Sequence, residues 1–491
     1  MNKNTIKAGL LAAVVALSGC DSYLDINTSP NSPSEGILTT GDIFPGVEMA
    51  LCTSYCGELR MNGGYYSEHY ANVPGSSNYV GNSQFKVSNT ATGVWYNIYV
   101  RGLSNLTTVL DKANAEGDKA TVLAATVIRA GMYETLVDMF GEVPYSEALD
   151  VENFPMPHFD EGKDIYYGII AELDAALAGV EPSDLVCTSF LFANRQADGW
   201  IKTANALKLR MYMRMSNVEN VQSQLAALVS EGNFPTADVA WTGMWADENE
   251  KCNPYFRGYG DASYSYTKNN ISMNVAVVKT LEAADDPRMP AMMSLNDEGK
   301  YYGGMSGVST ANGITANSMS KPAVKFNSPA VFISLAEIKF FLAEYEVRYG
   351  SATAAAELFQ EAIEASCASY GVDFASTITD AYPWDAANWK KSIGIQKWIH
   401  LAGCNNFEAW CELRRLGYPT FGSVSGEDMY NGGNLDYNIY EPATLYTPYL
   451  VGGDVGANKI LQRFPYPSDA TTKNSNAPKD KGDLVPVFWA E

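Results

Sequence analysis

Histidine is nearly absent from this chain: His69, His158 and His400 are the three in 491 residues. No H-E-x-x-H helix, no C-x-x-C pair, no P-loop and no G-x-S-x-G elbow occurs. Zinc-site, thioredoxin, nucleotide and α/β-hydrolase chemistry therefore lack their usual signatures. A Ser-His-Asp triad needs a single His and stays open on residue types alone. Carboxylate pairs for glycoside cleavage also stay open, because the fold sets their spacing among 56 acidic residues. No D-x-[DN]-x-[DN]-G loop is present, which leaves calcium only an irregular site. Neither a cofactor nor a metal is expected.

Basic residues are scarce as well. Lys and Arg total 34, giving a net charge of −22. Phosphate backbones and anionic lipid surfaces would be repelled, so nucleic acid is not an expected partner. Cysteine is sparse at eight residues, and Cys52, Cys56, Cys187, Cys252, Cys367, Cys404 and Cys411 follow the first, Cys20. Seven is an odd number and too few for a disulfide scaffold of this length. Cys52 and Cys56, four apart, could bridge or simply pack.

Long hydrophobic runs are missing too. The N-terminus has Lys3 and Lys7, then an apolar run from Ala8 to Leu17. That run is too short to span a bilayer and reads as the core of a secretory signal over residues 1–19. It ends in Leu17-Ser18-Gly19-Cys20, which resembles a bacterial lipobox with Cys20 as the lipidated residue. The competing reading is an ordinary secretory signal with a chance cysteine. Several acyl chains on one cysteine would anchor stably where a single chain would not.

What the chain does contain is helix periodicity and aromatic residues. Residues 392–419 read SIGIQKWIHLAGCNNFEAWCELRRLGYP. Ile395, Trp398, Ile399 and Ala402 form one apolar stripe; Phe407, Trp410 and Leu413 form a second. Asn405 is placed to cap the second helix, with Glu408 at its third position to complete a box. Gly417 and Pro419 end it. Lys397, Arg414 and Arg415 read as dipole and salt-bridge residues. The same helix-pair pattern recurs near 94–140, 164–216 and 334–370. In the last of these Ser334 and Glu337 have capping-box spacing, with a staple between Ile333 and Ile338. Lys208, Arg210 and Arg214 read as a solvated or salt-bridged helix face. Such pairs must stack to bury their faces, and A-x3-F at Ala355 and Phe359 fits a tetratricopeptide-like unit. The fold class is mostly α: about four such pairs in one domain, 20–491, with loop-rich insertions at 61–90, 217–330 and 420–491. Ile271–Leu281 is expected to be helical within the second insertion.

The 30 Tyr and 9 Trp gather partly on irregular sequence. Tyr65, Tyr70, Asn78 and Tyr79 lie in one Gly/Asn-rich stretch. Trp241, Trp245, Tyr255, Tyr259, Tyr264 and Tyr266 lie in another. Rings with a polar edge suit stacking on sugars or other amphipathic ligands. The same rings also suit burial against a scaffold, which is the competing reading at every one of these positions.

Several blocks together resemble the SusD/RagB family of surface lipoproteins. They are YLDINTSPNSP near the start, RAGMYETLVDMFGEVPY at 129–145, GWIKTANALKLRMYMRMS at 199–216, Asp286-Pro287-Arg288, QKW…EAW…RRLGYP, and RFPYPSDATTKN near the end. Asp469 stands where the family has Glu, and Phe488-Trp489 where it has paired Trp. The resemblance implies a tetratricopeptide-like scaffold with a loop-rich ligand half. It also implies an outer-membrane location facing the exterior, a glycan or oligopeptide ligand, and a SusC-like TonB-dependent importer as partner. Function would then be capture without catalysis, the lipoprotein serving as the importer's lid. A structural or adhesive scaffold, or a surface glycoside hydrolase, is the alternative.

Overall fold

A computed structural model describes residues 37–76, 78–86, 92–260, 270–479 and 481–490. The leader, Cys20, Tyr264 and Tyr266 lie outside the described residues.

The first helix, α1 (Thr40–Ser54), continues through a π-helical turn, Tyr55–Leu59, into α2 (Arg60–Tyr66). The 61–90 stretch thus begins as buried helix, a correction to its reading as loop. Glycine explains the burial. A Cβ on Gly63 would lie 2.5 Å from the Asn406 carbonyl oxygen, and one on Gly64 would lie 2.2 Å from the Tyr70 ring. Only bare backbone lets α2 come this close, and the approach carries Tyr65 and Tyr66 into the core. The chain then enters strand β1 (Tyr70–Asn72).

A second π-helical segment, Asn97–Leu103, leads into α3 (Ser104–Glu116). Asp118 accepts the Thr121 N–H at 3.0 Å and so caps α4 (Lys119–Phe140), which stops at Gly141 with φ 84°. Helix α4 is apolar and long enough to cross a membrane, yet 89% of its most apolar window is buried inside the protein. It is the central core helix, packed by α3, by α5 (Gly162–Leu177) and by α6 (Ala197–Met215).

Two short antiparallel pairs tie the loop-rich half to this scaffold. Strand β2 (Val239–Trp241) pairs with a later strand, and β3 (Ile271–Met273) pairs with β1, setting Tyr70 opposite Met273. The 271–281 run is therefore strand first and helix second. Asn274 accepts the Ala276 N–H at 2.9 Å and opens α7 (Val275–Ala283). Cross-strand pairing of Ile271 and Met273 overrides the helical spacing there. The partner of β2 is β4 (Ala330–Ile333). It leads into the pair α8 (Leu335–Tyr349) and α9 (Ala352–Ser369), and then α10 (Trp389–Leu401) and α11 (Asn406–Leu416). Gly417, at φ 71°, ends α11 as expected. Trp398 and Trp410 are buried; their indole N–H groups donate to the carbonyls of Ser67 (2.7 Å) and Leu461 (2.8 Å).

The charged residues of the helix faces form the salt bridges expected of them, but in the core and not at the surface. Arg210 and Arg214 are fully buried, not solvated. Arg210 grips Glu337 with Nε at 2.7 Å and Nη2 at 3.0 Å, and Nη2 also donates to the Phe332 carbonyl at 2.9 Å. Arg214 bonds Asp138 and Glu408, with Glu134 3.4 Å away. Arg415 forks onto Glu344 at 2.7 Å on both oxygens and meets Glu412, which also takes Lys397 at 2.9 Å. Trp489 and Tyr166 donate to Asp138 at 2.8 and 2.5 Å. Lys202 and Lys208 are the α6 cations that reach the surface, pairing with Asp198 and Asp174.

This network changes the two expected capping boxes. Ser334 accepts from Glu337 N–H and Asn405 from Glu408 N–H, so half of each box forms. The returning halves do not: both glutamate side chains are taken by Arg210 and Arg214. A fully buried guanidinium holds a carboxylate more strongly than a helix-end N–H does, because leaving it unpaired is so costly.

Candidate ligand-binding site

The sequence-selected rings among the described residues divide into two groups. Tyr65, Tyr70, Trp241 and Tyr255 have 0, 0, 0 and 2% of their surface exposed. They form floor and core rather than a grip, a correction with a plain cause: the segments bearing them are pinned between helices and short strands. Tyr79, Trp245 and Tyr259 are half-buried and Asn78 is exposed.

Five of these tyrosines are in one place. Tyr65 and Tyr79 have ring centroids 6.1 Å apart, Tyr79 and Tyr259 6.1 Å, Tyr259 and Tyr255 5.3 Å, and Tyr255 and Tyr70 6.0 Å. Buried Tyr65, Tyr70 and Tyr255 support the two rings that reach the surface. Tyr79 has the left-handed φ of 61°, which turns the 78–79 loop over the cluster. Tyr259 sits on a third π-helical segment, Phe256–Gly260. Such segments are rare and widen a helix locally.

Trp241 and Trp245 lie elsewhere. Trp241, on β2, packs on Phe332 of β4 at 5.6 Å, and the Trp245 indole donates to the Trp241 carbonyl at 3.3 Å. Among the described residues, no ring contact joins them to the five tyrosines.

Two charged residues belong to the cluster without having been selected from the sequence. Arg60 lies beneath it: Nε donates to the Tyr70 hydroxyl at 3.0 Å, Nη2 to the Gly403 carbonyl at 2.8 Å, and its plane covers the Tyr255 ring at 4.9 Å. Tyr70 in turn donates to Asn406 Oδ1 at 3.1 Å, so the floor is tied to α11. Glu58 is half-buried in the first π turn, where Gly57 leaves helical geometry (φ −95°, ψ −106°). Its carboxylate accepts the Val94 N–H, and burial pushes its pKa up to about 7. Gly93 makes room for it: an added Cβ would stand 2.5 Å from Glu58 Oε2. Burial pushes the Tyr259 phenol up, and the charges of Tyr79 and Glu58 act in the same direction. The usable signal for this missed region was the apolar spacing Phe44, Leu51, Tyr55, Leu59 behind the Thr39–Asp42 cap (2.9 Å).

The arrangement offers two ring faces, a loop amide at Asn78 and a carboxyl that is half protonated near neutrality. That set can stack on and hydrogen-bond a polyhydroxylated ligand. As for nucleophilic chemistry, His69 and His400 are both fully buried, and burial drives each down to about 3. His400 bridges Ser366 (2.9 Å) and Ser334 (2.8 Å), a structural role. His158 is exposed beside Glu147. Among the described residues no group of three or more His, Cys, Asp or Glu could hold a metal ion.

Residues 39–439 match the family model described as SusD-like, starch-binding, associating with the outer membrane. This chain belongs to the SusD-like family. Solved structures agree in fold. A chitin-binding protein is 23% identical, with a TM-score of 0.72 over 91% of this chain and 98% of its own. A chitin-binding SusD homolog from Flavobacterium johnsoniae is 19% identical, with a TM-score of 0.70 over the same shares. A SusD homolog from Bacteroides uniformis is 18% identical, with a TM-score of 0.69, again over 91% and 98%. Among curated proteins none matches. The mostly helical, tetratricopeptide-containing SusD-like fold is thus that of this chain, and the family is one of glycan binding and outer-membrane association.

Proposed function

We propose that this SusD-like protein is a cell-surface lipoprotein, anchored through Cys20, that captures an extracellular glycan at the Tyr79–Tyr259 cluster. The observation that carries the reading is two surface-reaching tyrosine rings held on a floor of three buried ones, with Asn78 and Glu58 beside them. A rigid floor fixes the rings before ligand arrives, which lowers the ordering cost of binding. Tyr264 and Tyr266, outside the described residues, remain proposed contacts on their sequence alone. Trp245 would be an outlying contact, and an oligopeptide is the second ligand class. Starch and chitin, named for the family and for two structural neighbours, are the first glycans to try.

Capture would be followed by delivery to a SusC-like TonB-dependent importer, over which the protein acts as a lid. No bond is made or broken in this role. The test is calorimetric titration of the full chain with maltoheptaose, chitohexaose and a peptide panel, beside Tyr259→Ala. Saturable glycan binding that the substitution weakens at least tenfold, with no turnover, supports the reading. Silence across the panel, together with failure to co-purify a β-barrel, sinks it.

A further inference from the structure

A second cavity, of about 510 Å³, opens at the junction of α10 with the 418–444 loops, away from the tyrosine cluster. At roughly 30 Å³ per water it could hold some seventeen waters, enough room for a dipeptide. Its walls are fixed. The Tyr382 hydroxyl donates to the Thr280 carbonyl at 2.9 Å, and the Ala443 N–H donates to the Thr280 hydroxyl oxygen at 2.9 Å. One residue of α7 therefore pins both sides. Ala443 is held at φ 58°, a left-handed value that a non-glycine residue adopts only when its surroundings impose it.

Two opposite charges line this cavity and stay apart. Lys391, in the first turn of α10, and Glu441, in the facing loop, are both exposed at its wall. Neither side chain makes an ion pair or hydrogen bond with any described residue. They therefore stand farther apart than the roughly 4 Å of an ion pair. The third charge, Asp385, is already used: it accepts from Ala387 N–H (2.9 Å), Asn388 N–H (3.3 Å) and Asn388 Nδ2 (2.7 Å). The cavity thus presents one cation and one anion across a gap, with the half-buried Tyr382 and Tyr418 between solvent and scaffold.

We propose that this cavity binds a short zwitterionic peptide, its carboxylate on Lys391 and its ammonium on Glu441. The extended chain gains about 3.5 Å per residue, so a dipeptide, like the two side chains, holds its opposite charges farther apart than an ion pair. A neutral sugar would leave both protein charges without a counter-charge. The site is independent of the glycan reading.

The test uses the full chain and three probes: the dipeptide Ala-Phe, N-acetyl-Ala-Phe-amide, and maltoheptaose. Ala-Phe should saturate the protein below ~10 mM. The blocked peptide, and Ala-Phe on Lys391→Ala or Glu441→Gln, should bind at least tenfold more weakly. Tyr259→Ala should leave Ala-Phe affinity unchanged. No saturation, equal binding of the blocked peptide, unaltered affinity in both charge variants, or loss of binding in Tyr259→Ala would each overturn the assignment. So would maltoheptaose competing for the same site. Both charge variants alter exposed side chains and should fold, which matched thermal unfolding curves would verify.

Discussion

The helix-pair scaffold and the tyrosine cluster use buried charge in opposite ways. In the scaffold every buried guanidinium of α6 meets carboxylates: Arg210 takes Glu337 and Glu134, and Arg214 takes Asp138, Glu408 and Glu134. Under the cluster, Arg60 bonds a phenol and a carbonyl and covers a ring, with no ion pair to a described carboxylate. The scaffold's charges lock five helices to one another, so changing one partner strands several others. The cluster's rings stack in a chain from buried Tyr70 to surface-reaching Tyr79 and Tyr259, and these outer members should tolerate change without disturbing the helices. Under the proposed function, stability and recognition would be carried by separate parts of the chain.

Breaking the scaffold side should have the largest effect. Arg214→Ala leaves Asp138 buried without a cation, and leaves Glu134 and Glu408 with Arg210 alone, and should cost about 3–5 kcal/mol. Denaturant unfolding measures it; a loss under ~1 kcal/mol would mean the network is not a unit. Gly63→Ala comes next, at about 1–3 kcal/mol, because the new methyl meets the Asn406 and Phe407 backbone.

A pH experiment probes a carboxyl outside both groups. Glu48 accepts from Ser189 Oγ, Phe190 N–H and Leu191 N–H, yet burial raises its pKa from 4.5 to about 7. The folded state then holds a proton that the unfolded state releases between those values. Stability from this group is full below about 4.5 and is lost as pH rises toward about 7. Relative to Glu48→Gln, the parent should lose at most about 1.4 kcal/mol per pH unit across that window. Parallel pH dependences for the two proteins would contradict it.

The smallest expected effect on stability sharpens the contrast most. Tyr259→Ala, at a half-buried ring, should cost roughly 1 kcal/mol or less in folding. It should nonetheless weaken glycan binding at least tenfold. A large stability loss with unchanged binding would reverse the assignment of that ring from grip to core.

Much of the scaffold was legible in order along the chain. Asp118, Asn405 and Gly417 do what their types and positions dictate, because capping is a local competition for a few N–H and C=O groups. Ile271–Met273 was misread because its strand partner is β1, some 200 residues earlier, and no window contains both. Glu337 and Glu408 were half right for the same reason: their backbone roles are local, while their side-chain partners sit on α6. At the candidate site, residue type pointed to rings that the fold brings together but not to which faces stay open. Tyr65 and Tyr79 carry the same side chain on neighbouring sequence, and one is floor while the other reaches the surface.

The sequence by itself determined the helix pairs, their caps and stops, and the family blocks, since each depends on spacing within one or two turns. The tertiary structure alone decided that the α6 arginines turn inward and that two tyrosines out of five remain open. It alone set Lys391 and Glu441 across one cavity. Burial and charge pairing are properties of surfaces brought together from distant parts of the chain, and those surfaces exist only once the helices have packed.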